Sequence, residues 1–506
     1  MKNIITAVSK LKTVAATALL IAVSASCSKD YLVVAPKGEI TDATFYTTAQ
    51  GATQAVNALY GQTRVWAFHE SGFPIYDIMS DDAYKGSIPG DQPNLVLYET
   101  FKHTPNLNMN GDWYYQLYKI IRDANAVLTY VPPISMDANL KARILGEAKF
   151  FRALCYSGLV RGFGGVPLIT QMDPPVGIGR SSADEVYAQI FKDLQEAHDV
   201  LPLAYPASEK GRITKGAASS LMARMYLFKG DYANTEKYAL EVINSNVYDL
   251  EADFSTVFLP AGDYGKEAVY EVGAVKGLPN DYNWMADGGS QYANTQAIRG
   301  TPNRGWGFNR PSLELMNFFG DKDPRKNKTI IFLGEVMPDG ITTLGDAVTL
   351  DTTYDANRKI TEIECYNQKV WVPGNNVGSA FGANRKIIRY SDVLLMAAEA
   401  LNKNGKSAEA LPYLNKVRQR ARGGAGGDTL PDITETNTSA LDDIIFDERR
   451  RELALEDLRY WDLVRTGRAE AVLGPLGFIK GKHELLPLPS LEVEQSGGKI
   501  IQNPQY

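Results

Sequence analysis

The sequence predicts a mainly α-helical protein in which helical hairpins carry a loop-rich region with a few short strands. Two observations lead to this fold class. Over much of the chain, apolar residues recur with the 3.6-residue period of a helix. Between two hairpin-like stretches, residues 251–388 are instead rich in Gly, Asn, Thr and aromatic residues, with only short β-like runs. The helices therefore form a framework, and the loop-rich stretches are insertions in it.

Two segments show the pattern of an α-helical hairpin. In residues 215–245 one apolar helix face ends at Gly230 and Asp231, after which a second apolar face begins. Residues 392–421 repeat this arrangement around a turn at Gly405. The spacing of small and aromatic residues in both segments resembles a tetratricopeptide unit, although two units are too few for a solenoid. Further helices are expected at 49–66, 112–130, 138–161, 183–200 and 440–466.

The chain is predicted to hold a signal segment followed by one folded unit. We assign residues 1–26 to a lipoprotein signal peptide and residues 27–506 to a single fold. In that fold we expect helical repeats at about 40–65, 112–250 and 388–466, with loop-rich insertions at 66–111 and 251–388. Within the second insertion, AVYEV (268–272), TIIFL (329–333) and KVWVP (369–373) are predicted to be short strands.

The N-terminus has the physical features of an export signal. Lysines precede a small apolar run at 14–23, which is far shorter than the roughly 20 residues that a membrane-spanning helix needs. Small residues then lead to Cys27. This pattern resembles the bacterial lipoprotein signal, except that Ser24 stands where an aliphatic residue is usual. Lipidation of Cys27 would anchor the chain without spanning the membrane. The alternative is an ordinary secreted protein with a chance cysteine.

Composition argues for a globular protein that does not bind nucleic acid. Without the signal peptide the chain has 50 basic and 59 acidic residues, a net charge of −9 with no basic stripe. Cys155 and Cys365 lie far apart, and we expect two free buried thiols; a disulfide between them is the alternative.

The sequence offers no convincing catalytic or metal motif. The four histidines are scattered, and no metal-binding or nucleophile motif is present. Glu448 and Glu452 share a helix face, as a pair of glycosidase carboxylates would. Five neighbouring arginines favour their ionised forms, whereas a general acid needs the reverse. We therefore predict a structural ion-pair network, no enzyme activity and no cofactor, while a structural calcium ion is left open.

Binding is better supported than catalysis. Residues 279–312 place aromatic rings among Asn and Gly residues in a long loop, where a ring can offer a rigid apolar face to a sugar. From this loop we predict ligand contacts by Trp284, Tyr292, Trp306, Asn283 and Arg304; from the loop region 66–111 we add Asp82, Tyr84 and Trp66. The alternative is that these aromatics only pin the loops to the helices. Trp113, by contrast, is expected to pack in the core.

Five segments together resemble one known family, the SusD/RagB-type lipoproteins. They are FFRALCYSGLVRGFGGVPLIT (150–170), GRITKGAASSLMARMYLFKGDY (211–232), RYSDVLLMAAEALN (389–402), ERRRELALEDLRYWDLVR (448–465) and LLPLPSLEVEQSGGKIIQNPQY (485–506). The resemblance runs in order from Cys27 to Tyr506. It implies four helical repeat pairs carrying an irregular ligand-binding part, with a glycan site that draws on both loop regions.

The same resemblance implies a location and a partner. SusD-like proteins are glycan-binding lipoproteins on the surface of the outer membrane, and they work with a SusC-like TonB-dependent transporter. Ser28, Lys29 and Asp30 weakly resemble the signal that sends such lipoproteins to the cell surface. Two alternatives stay open: a glycoside hydrolase, and a peptide- or protein-binding helical-repeat subunit of the same transporter.

Overall fold

The computed structural model describes residues 45–175, 177–275, 290–300, 305–346, 352–354, 356–374, 382–426 and 428–506. The stretch Thr48–Tyr506 forms one compact unit. The predicted signal peptide with Cys27 lies outside the described residues, as do Asn283, Trp284 and Arg304. None of the described helices combines the length and the apolar character that crossing a membrane requires.

The fold is mainly α-helical with a tetratricopeptide-like arrangement, which confirms the predicted fold class. In chain order the helices are α1 (Ala49–Gln62), α2 (Ile75–Ile78), α3 (Leu95–Glu99), α4 (Asn108–Tyr130), α5 (Ala138–Phe163), α6 (Ala183–Val200), α7 (Lys215–Lys229), α8 (Tyr232–Asn244), α9 (Gln291–Gln296), α10 (Leu313–Phe319), α11 (Lys326–Thr329), α12 (Tyr390–Lys403), α13 (Ser407–Arg422), α14 (Thr438–Leu453), α15 (Arg459–Arg465), α16 (Ala469–Leu473) and α17 (Ser490–Gln495). The strands are β1 (Ala83–Gly86), β2 (Ala268–Val272), β3 (Phe308–Pro311), β4 (Ile330–Phe332), β5 (Thr352–Tyr354), β6 (Ile360–Ile363), β7 (Cys365–Asn367) and β8 (Arg385–Arg389).

The long helices pack as a row. Each helix from α4 to α8 contacts the next along the chain, and α8 then contacts α12, which also contacts α13 and α14. The predicted hairpin turn between α7 and α8 is present: Gly230 has a left-handed φ of 73°, and Asp231 caps α8 by accepting from the backbone N–H of Asn234 at 3.0 Å. The helical row therefore continues across the long insertion. Trp113, Cys155 and Cys365 are buried, and both cysteines are free, as predicted.

Short strand pairs close and connect the loop-rich regions. Antiparallel pairing of β2 with β8 joins the beginning of the long insertion to its end. The pair β1–β3 joins the two loop regions to each other, with Tyr84 opposite Arg310 and Gly86 opposite Phe308. The pairs β4–β7 and β5–β6 lie within the insertion. Residues from both sequence regions are therefore held side by side.

Two predicted elements were wrong in detail. The helix expected at 440–466 is two helices, because Leu455 and Asp457 between them adopt left-handed φ values of 61° and 58°. KVWVP is not a strand; a 3₁₀ turn at Gln368–Val370 begins where the Asn367 side chain accepts from the Lys369 backbone N–H at 2.9 Å. The strand in this region is β7, which ends just before that turn.

Candidate functional site

Trp66 is placed by the end of the first helix. Helix α1 ends at Gln62, and Trp66 begins a 3₁₀ turn, Trp66–Phe68, instead of continuing the helix. Its ring packs edge-on against Phe73, with centroids 5.1 Å apart, and lies over the backbone of Gly72. A Cβ at Gly72 would stand 2.3 Å from Trp66 Cε3, and Gly72 has a φ of 80°. Only glycine suits this position, because it removes both the clash and the backbone strain.

Trp306 is placed by backbone hydrogen bonds on both sides. Its N–H donates to the carbonyl of Asn294 at 3.0 Å, and the neighbouring N–H groups of Gly305 and Gly307 donate to Ile298 and Ala297. A Cβ at Gly305 would come within 2.4 Å of the Asn294 carbonyl oxygen, so the close approach of the two segments requires glycine. The turn is thus fixed by its main chain, and Trp306 is partly exposed.

The two tryptophans form a half-exposed ring pair. Their ring centroids are 6.2 Å apart, with an angle of 57° between the planes, and each residue is partly exposed. We call this patch, with Arg299 and Asp91 beside it, the tryptophan-pair site. Trp66 comes from the first loop region and Trp306 from the second, so the structure joins two predicted residues that are 240 positions apart. A rigid apolar patch of this kind suits the flat C–H face of a sugar ring.

A charged clamp lies beside the ring pair. Arg299 donates from Nη1 to Asp91 Oδ2 at 2.7 Å and to Ser87 Oγ at 3.0 Å, and from Nε to Asp346 Oδ2 at 2.7 Å. The same Nη1 lies 3.5 Å from the Trp306 carbonyl oxygen. The side chains of Arg299 and Asp91 are 25% and 37% exposed, so both can also meet a ligand. Arg299 therefore links the two loop regions next to the Trp306 backbone.

Buried polar groups support the ring pair from below. Thr295 on α9 donates its hydroxyl to the carbonyl of Gly72 at 2.8 Å, which ties the seat of Trp66 to the segment carrying Trp306. Next to it, Asn309 donates to Gln296 Oε1 at 2.9 Å and to Asp77 Oδ2 at 3.1 Å. Because these partners are fully buried, the positions of the two loops are fixed by structure on both sides.

Burial shifts the titration of the groups next to this support. Burial raises the pKa of Glu70 to about 7, although Arg385 opposes the shift. Burial also raises the pKa of Asp457 and lowers the pKa of His69 well below its usual value. Arg385 contacts all three side chains, at 3.1 Å from Glu70, 2.6 Å from Asp457 and 2.7 Å from His69 Nδ1. Arg385, Glu70, Asp457 and His69 thus form a single, tightly connected polar cluster.

Tyr292 and Asp82 do not present themselves to a ligand, which corrects the prediction of exposed contacts there. Tyr292 is 6% exposed; its hydroxyl donates to Asp457 at 2.8 Å, and the Arg385 guanidinium lies 4.2 Å from its ring centroid. Asp82 is fully buried and accepts from Arg450 Nε at 2.7 Å. Both side chains are buried against internal partners, so the alternative of aromatics that pin the loop holds for Tyr292.

Tyr84 lies on β1 and is partly exposed. Its hydroxyl lies 3.1 Å from Glu314 Oε2 and 3.3 Å from the Thr361 carbonyl oxygen. Burial raises the pKa of Tyr84, and the negative charge of Glu314 raises this pKa further. These contacts direct its hydroxyl towards α10 and the insertion, and its role in binding stays a prediction.

The carboxylates tested as a glycosidase pair are both locked in ion pairs. Glu448 is fully buried and pairs with Arg325 at 2.7 Å and Arg418 at 2.6 Å. Glu452 is fully buried as well, and pairs with Arg325, Arg389 and Arg420. Burial acts to raise the pKa of Glu452, but Arg420, Arg389 and Arg325 outweigh it and lower this pKa to about 2. Such a group is no general acid.

The network partners differ from those expected. We expected the neighbouring arginines of the same segment to surround the two glutamates. Instead those arginines reach outward: Arg449 pairs with Asp392 and Asp462, and Arg450 and Arg459 both pair with Asp81. The arginines that hold Glu448 and Glu452 come from α11, β8 and α13 or the residues next to them. Residues 448–465 therefore connect the helical framework to both loop regions.

Arg299 and Asp91 were not predicted. Asp91 lies in the stretch PGDQPN (89–94), and Arg299 lies in the stretch AIRG (297–300). No local pattern marks either residue, because their significance arises from a contact across 208 positions. Within the described ranges, no three acidic, His or Cys residues are grouped so that they could hold a metal ion.

Comparison with known proteins identifies the family. A model of the SusD family matches residues 266–506, and a model described as "Starch-binding associating with outer membrane" matches residues 77–227. Together the two models match more than half of the chain, which therefore belongs to the SusD family. The resemblance found in the sequence is confirmed.

Relatives and solved structures agree with this assignment. SusD-like protein P2 of Formosa agariphila is 28% identical over 499 residues, covering 93% of this chain and 95% of that protein. A solved laminarin-binding SusD-like protein has a TM-score of 0.76 and 27% identity, with 91% of this chain and all of that chain covered. Surface glycan-binding protein A of Bacteroides thetaiotaomicron, solved with laminarihexaose, shares the fold with a TM-score of 0.75 at 24% identity over 90% of this chain and 100% of that chain.

Proposed function

We propose that this protein is a non-catalytic glycan-binding lipoprotein of the outer-membrane surface. It captures an oligosaccharide or polysaccharide and delivers it to a SusC-like TonB-dependent transporter. The observation that carries the proposal is the half-exposed pair of Trp66 and Trp306, held 6.2 Å apart on loops whose backbones are fixed. Stacking on rigid rings loses little conformational entropy, so such a patch is suited to gripping a sugar.

The properties of relatives support a glycan as the ligand. One solved neighbour is described as laminarin-binding, and another was solved in complex with laminarihexaose. The starch-binding protein SusD of Bacteroides thetaiotaomicron is 31% identical over 134 residues. This match covers 25% of this chain and 23% of that protein. These ligands are all built of neutral sugars. The tryptophan-pair site offers rings for the apolar faces of such sugars and polar side chains for their hydroxyl groups.

The ring pair is one part of the proposed site. Trp284, Asn283 and Arg304, which lie in the same sequence region as Trp306, remain predicted contacts. Arg299 and Asp91 join them as polar contacts for sugar hydroxyls. Tyr292 supports the site from inside through Asp457 and Arg385.

The location and the partner rest on the N-terminal sequence and on the family. Cys27 follows a short apolar segment and carries the predicted lipid, and the matched family description names the outer membrane. Replacing Cys27 by Ala is expected to release the protein from membranes and to abolish labelling by radioactive palmitate. Co-purification of a transporter barrel with the wild-type protein tests the partner; recovery of the protein without any barrel would contradict it.

Glycan binding is tested directly on the purified chain lacking residues 1–26. We expect calorimetric titration with laminarihexaose, followed by a glycan array, to show saturable binding without release of reducing sugar. In the double variant W66A/W306A, each lost ring removes about 1.5–3 kcal/mol of burial, so affinity should fall by at least about 10²-fold.

The matched control is Y115A, which removes an exposed ring on α4. It should bind like the wild type, and all variants should keep the helical circular dichroism. Equal affinity of W66A/W306A and wild type would remove the site. Failure of the wild type to bind any glycan on the array would remove the function.

A further inference from the structure

A small, partly open cavity lies where α2, α5, α7 and α15 face β8. Its volume is about 80 Å³, and neither ring of the tryptophan-pair site lines it. One water occupies roughly 10–15 Å³ by this measure, so the space holds several waters, a chloride ion or a small oxyanion. Two side chains in its wall, Arg224 and Tyr76, carry buried hydrogen-bond donors without a partner among the described residues, and Arg161 lines it as well.

Arg161 brings a partly buried positive charge that has no carboxylate partner. Its Nε donates to the Ser157 carbonyl oxygen at 3.1 Å, and its guanidinium stacks 5.2 Å from the ring centroid of Phe228 and 5.3 Å from that of Trp461. In the part of the chain that the structure describes, no acidic side chain comes within ion-pair distance of it. Burial and the nearby charge of Arg224 lower the pKa of Arg161 to about 10, so it stays protonated at neutral pH.

Arg224 and Tyr76 contribute unused donors. Arg224 is 6% exposed; its Nη2 donates to Asp392 at 2.7 Å, but its Nε has no partner among the described residues. Tyr76 is 2% exposed, and its hydroxyl likewise has no partner within those ranges. Since buried donors are nearly always satisfied, two orphan donors in the wall of one cavity indicate an occupant.

The acidic groups of the cavity wall are already engaged. Glu70 and Asp457 both contact Arg385, at 3.1 and 2.6 Å. Glu456 pairs with Lys369 and Arg389, while the remaining cation, Lys386, pairs with Asp263 and Glu271. Asp392 is shared between Arg224 and Arg449. Of the four cations in the cavity wall, Arg161 is therefore the one without an acidic partner among the described residues.

We propose that this cavity binds a small inorganic anion, chloride or a compact oxyanion such as sulfate, between Arg161, Arg224 Nε and the Tyr76 hydroxyl. Water accepts hydrogen bonds but neutralises no charge, whereas an anion also offsets the unpaired charge of Arg161. The site joins α5 and α7 to α2, and thereby links the helical framework to the segment that precedes β1. Anion binding there requires no bound glycan, although Arg385 and Asp457 in the cavity wall also hold Tyr292.

Crystals grown without chloride or sulfate locate the anion. One set is soaked in sodium bromide and another in sodium selenate, whose heavy atoms scatter anomalously. We expect an anomalous peak within hydrogen-bonding distance of Arg161 and Tyr76 in at least one set, and the set that shows it identifies a halide or an oxyanion. Water in the cavity without a peak in either set overturns the proposal.

Affinity in solution is measured by the rise of the thermal midpoint as chloride or sulfate replaces gluconate at constant ionic strength, since an anion that binds only the folded state stabilises it. Y76F removes one hydroxyl and should weaken the apparent anion affinity about tenfold. R161M should abolish the anion-dependent rise, whereas R122M, which changes a 68% exposed arginine on α4, should retain it. An equal rise in wild type, Y76F and R161M would show a general salt effect and overturn the proposal.

Discussion

The tryptophan-pair site and the ion network around Glu448 and Glu452 are built in opposite ways. Both join residues from distant parts of the chain. In the network every charged group is buried and matched by opposite charges, so nothing remains for a ligand. At the tryptophan pair the backbone hydrogen bonds and two glycine contacts fix the loops, which leaves the side chains of Trp66 and Trp306 partly exposed.

The difference shows that the residues that stabilise the fold and the residues proposed to bind the ligand are positioned in different ways. Side chains that hold the fold together are saturated by internal partners, whereas side chains that bind are positioned through main-chain contacts. Tyr292 shows the rule within the loop itself, because its hydroxyl and its ring face are both occupied internally. Residue type alone does not distinguish the two roles.

The largest expected effect is on stability, in E452A. Removing this carboxylate leaves Arg325, Arg389 and Arg420 with an uncompensated buried charge, so the free energy of unfolding should fall by about 3–5 kcal/mol. Urea unfolding followed by circular dichroism measures the change. The control E470A breaks a 3.7 Å pair between residues that are more than 60% exposed, and should cost under about 1 kcal/mol. Similar losses in both variants would show that the network is not what stabilises the fold.

The second effect couples the seat of Trp66 to binding. In G72A the new Cβ meets the Trp66 ring, and the φ of 80° is strained for alanine. The strain should cost about 1–3 kcal/mol of stability, and the displaced ring should weaken glycan affinity. G61A is the matched control: nothing lies within 4 Å of its Cβ, and alanine in a helix is favoured by roughly 0.5–1 kcal/mol. If G72A binds glycan with the same affinity as G61A, Trp66 does not contribute to the binding site.

The third prediction is that the two regions respond to pH in opposite directions. The pKa of Glu452 is lowered to about 2 from 4.5, so its contribution to stability is complete above about pH 4.5 and is lost as the pH falls towards 2. The pKa of Glu70, in the Arg385 cluster, is raised to about 7, so its contribution is complete below about pH 4.5 and is lost as the pH rises through 7.

Unfolding free energies measured from pH 3 to pH 8 test these signs. E452Q should flatten the acidic side of the profile, and E70Q should flatten the neutral side. If E70Q steepens the neutral side, or if E452Q leaves the acidic side unchanged, the assigned sign for that residue is wrong.

The smallest effect is expected in R299M. This side chain is 25% exposed, so losing its contacts with Asp91 and Asp346 should cost below about 1 kcal/mol of stability. Because Arg299 no longer holds the turn that carries Trp306, glycan affinity should fall about threefold, or about 0.7 kcal/mol. R422M removes an ion-paired arginine on α13 and should bind normally. An R299M variant with unchanged affinity in calorimetry would limit the site to the two rings.

Much of the framework could be predicted from the sequence, because helix periodicity and capping are local. Gly230 and Asp231 mark their turn within a few residues, and α7 and α8 follow from the apolar spacing on either side. The break between α14 and α15 could not be predicted in this way. Its left-handed Asp457 donates its backbone N–H to Asp77, 380 positions away, and that contact leaves no local pattern.

The site was predicted in part. Composition pointed to both loop regions and named Trp66 and Trp306, since aromatic rings among Gly and Asn residues are unusual in a loop. It also named Asp82 and Tyr292, which are buried, because the same rings and carboxylates serve equally well inside a protein. Arg299 was not predicted, because no local sequence pattern indicates its contact with Asp91.

The sequence by itself determined the family, the helical framework and the two stretches of chain from which the site is drawn, because periodicity, capping and family segments are written in neighbouring residues. Only the tertiary structure decided which rings stay at the surface. Burial depends on what the rest of the chain brings against a side chain: Arg385 and Asp457 cover Tyr292, while Gly72 and Gly305 let Trp66 and Trp306 meet at the surface.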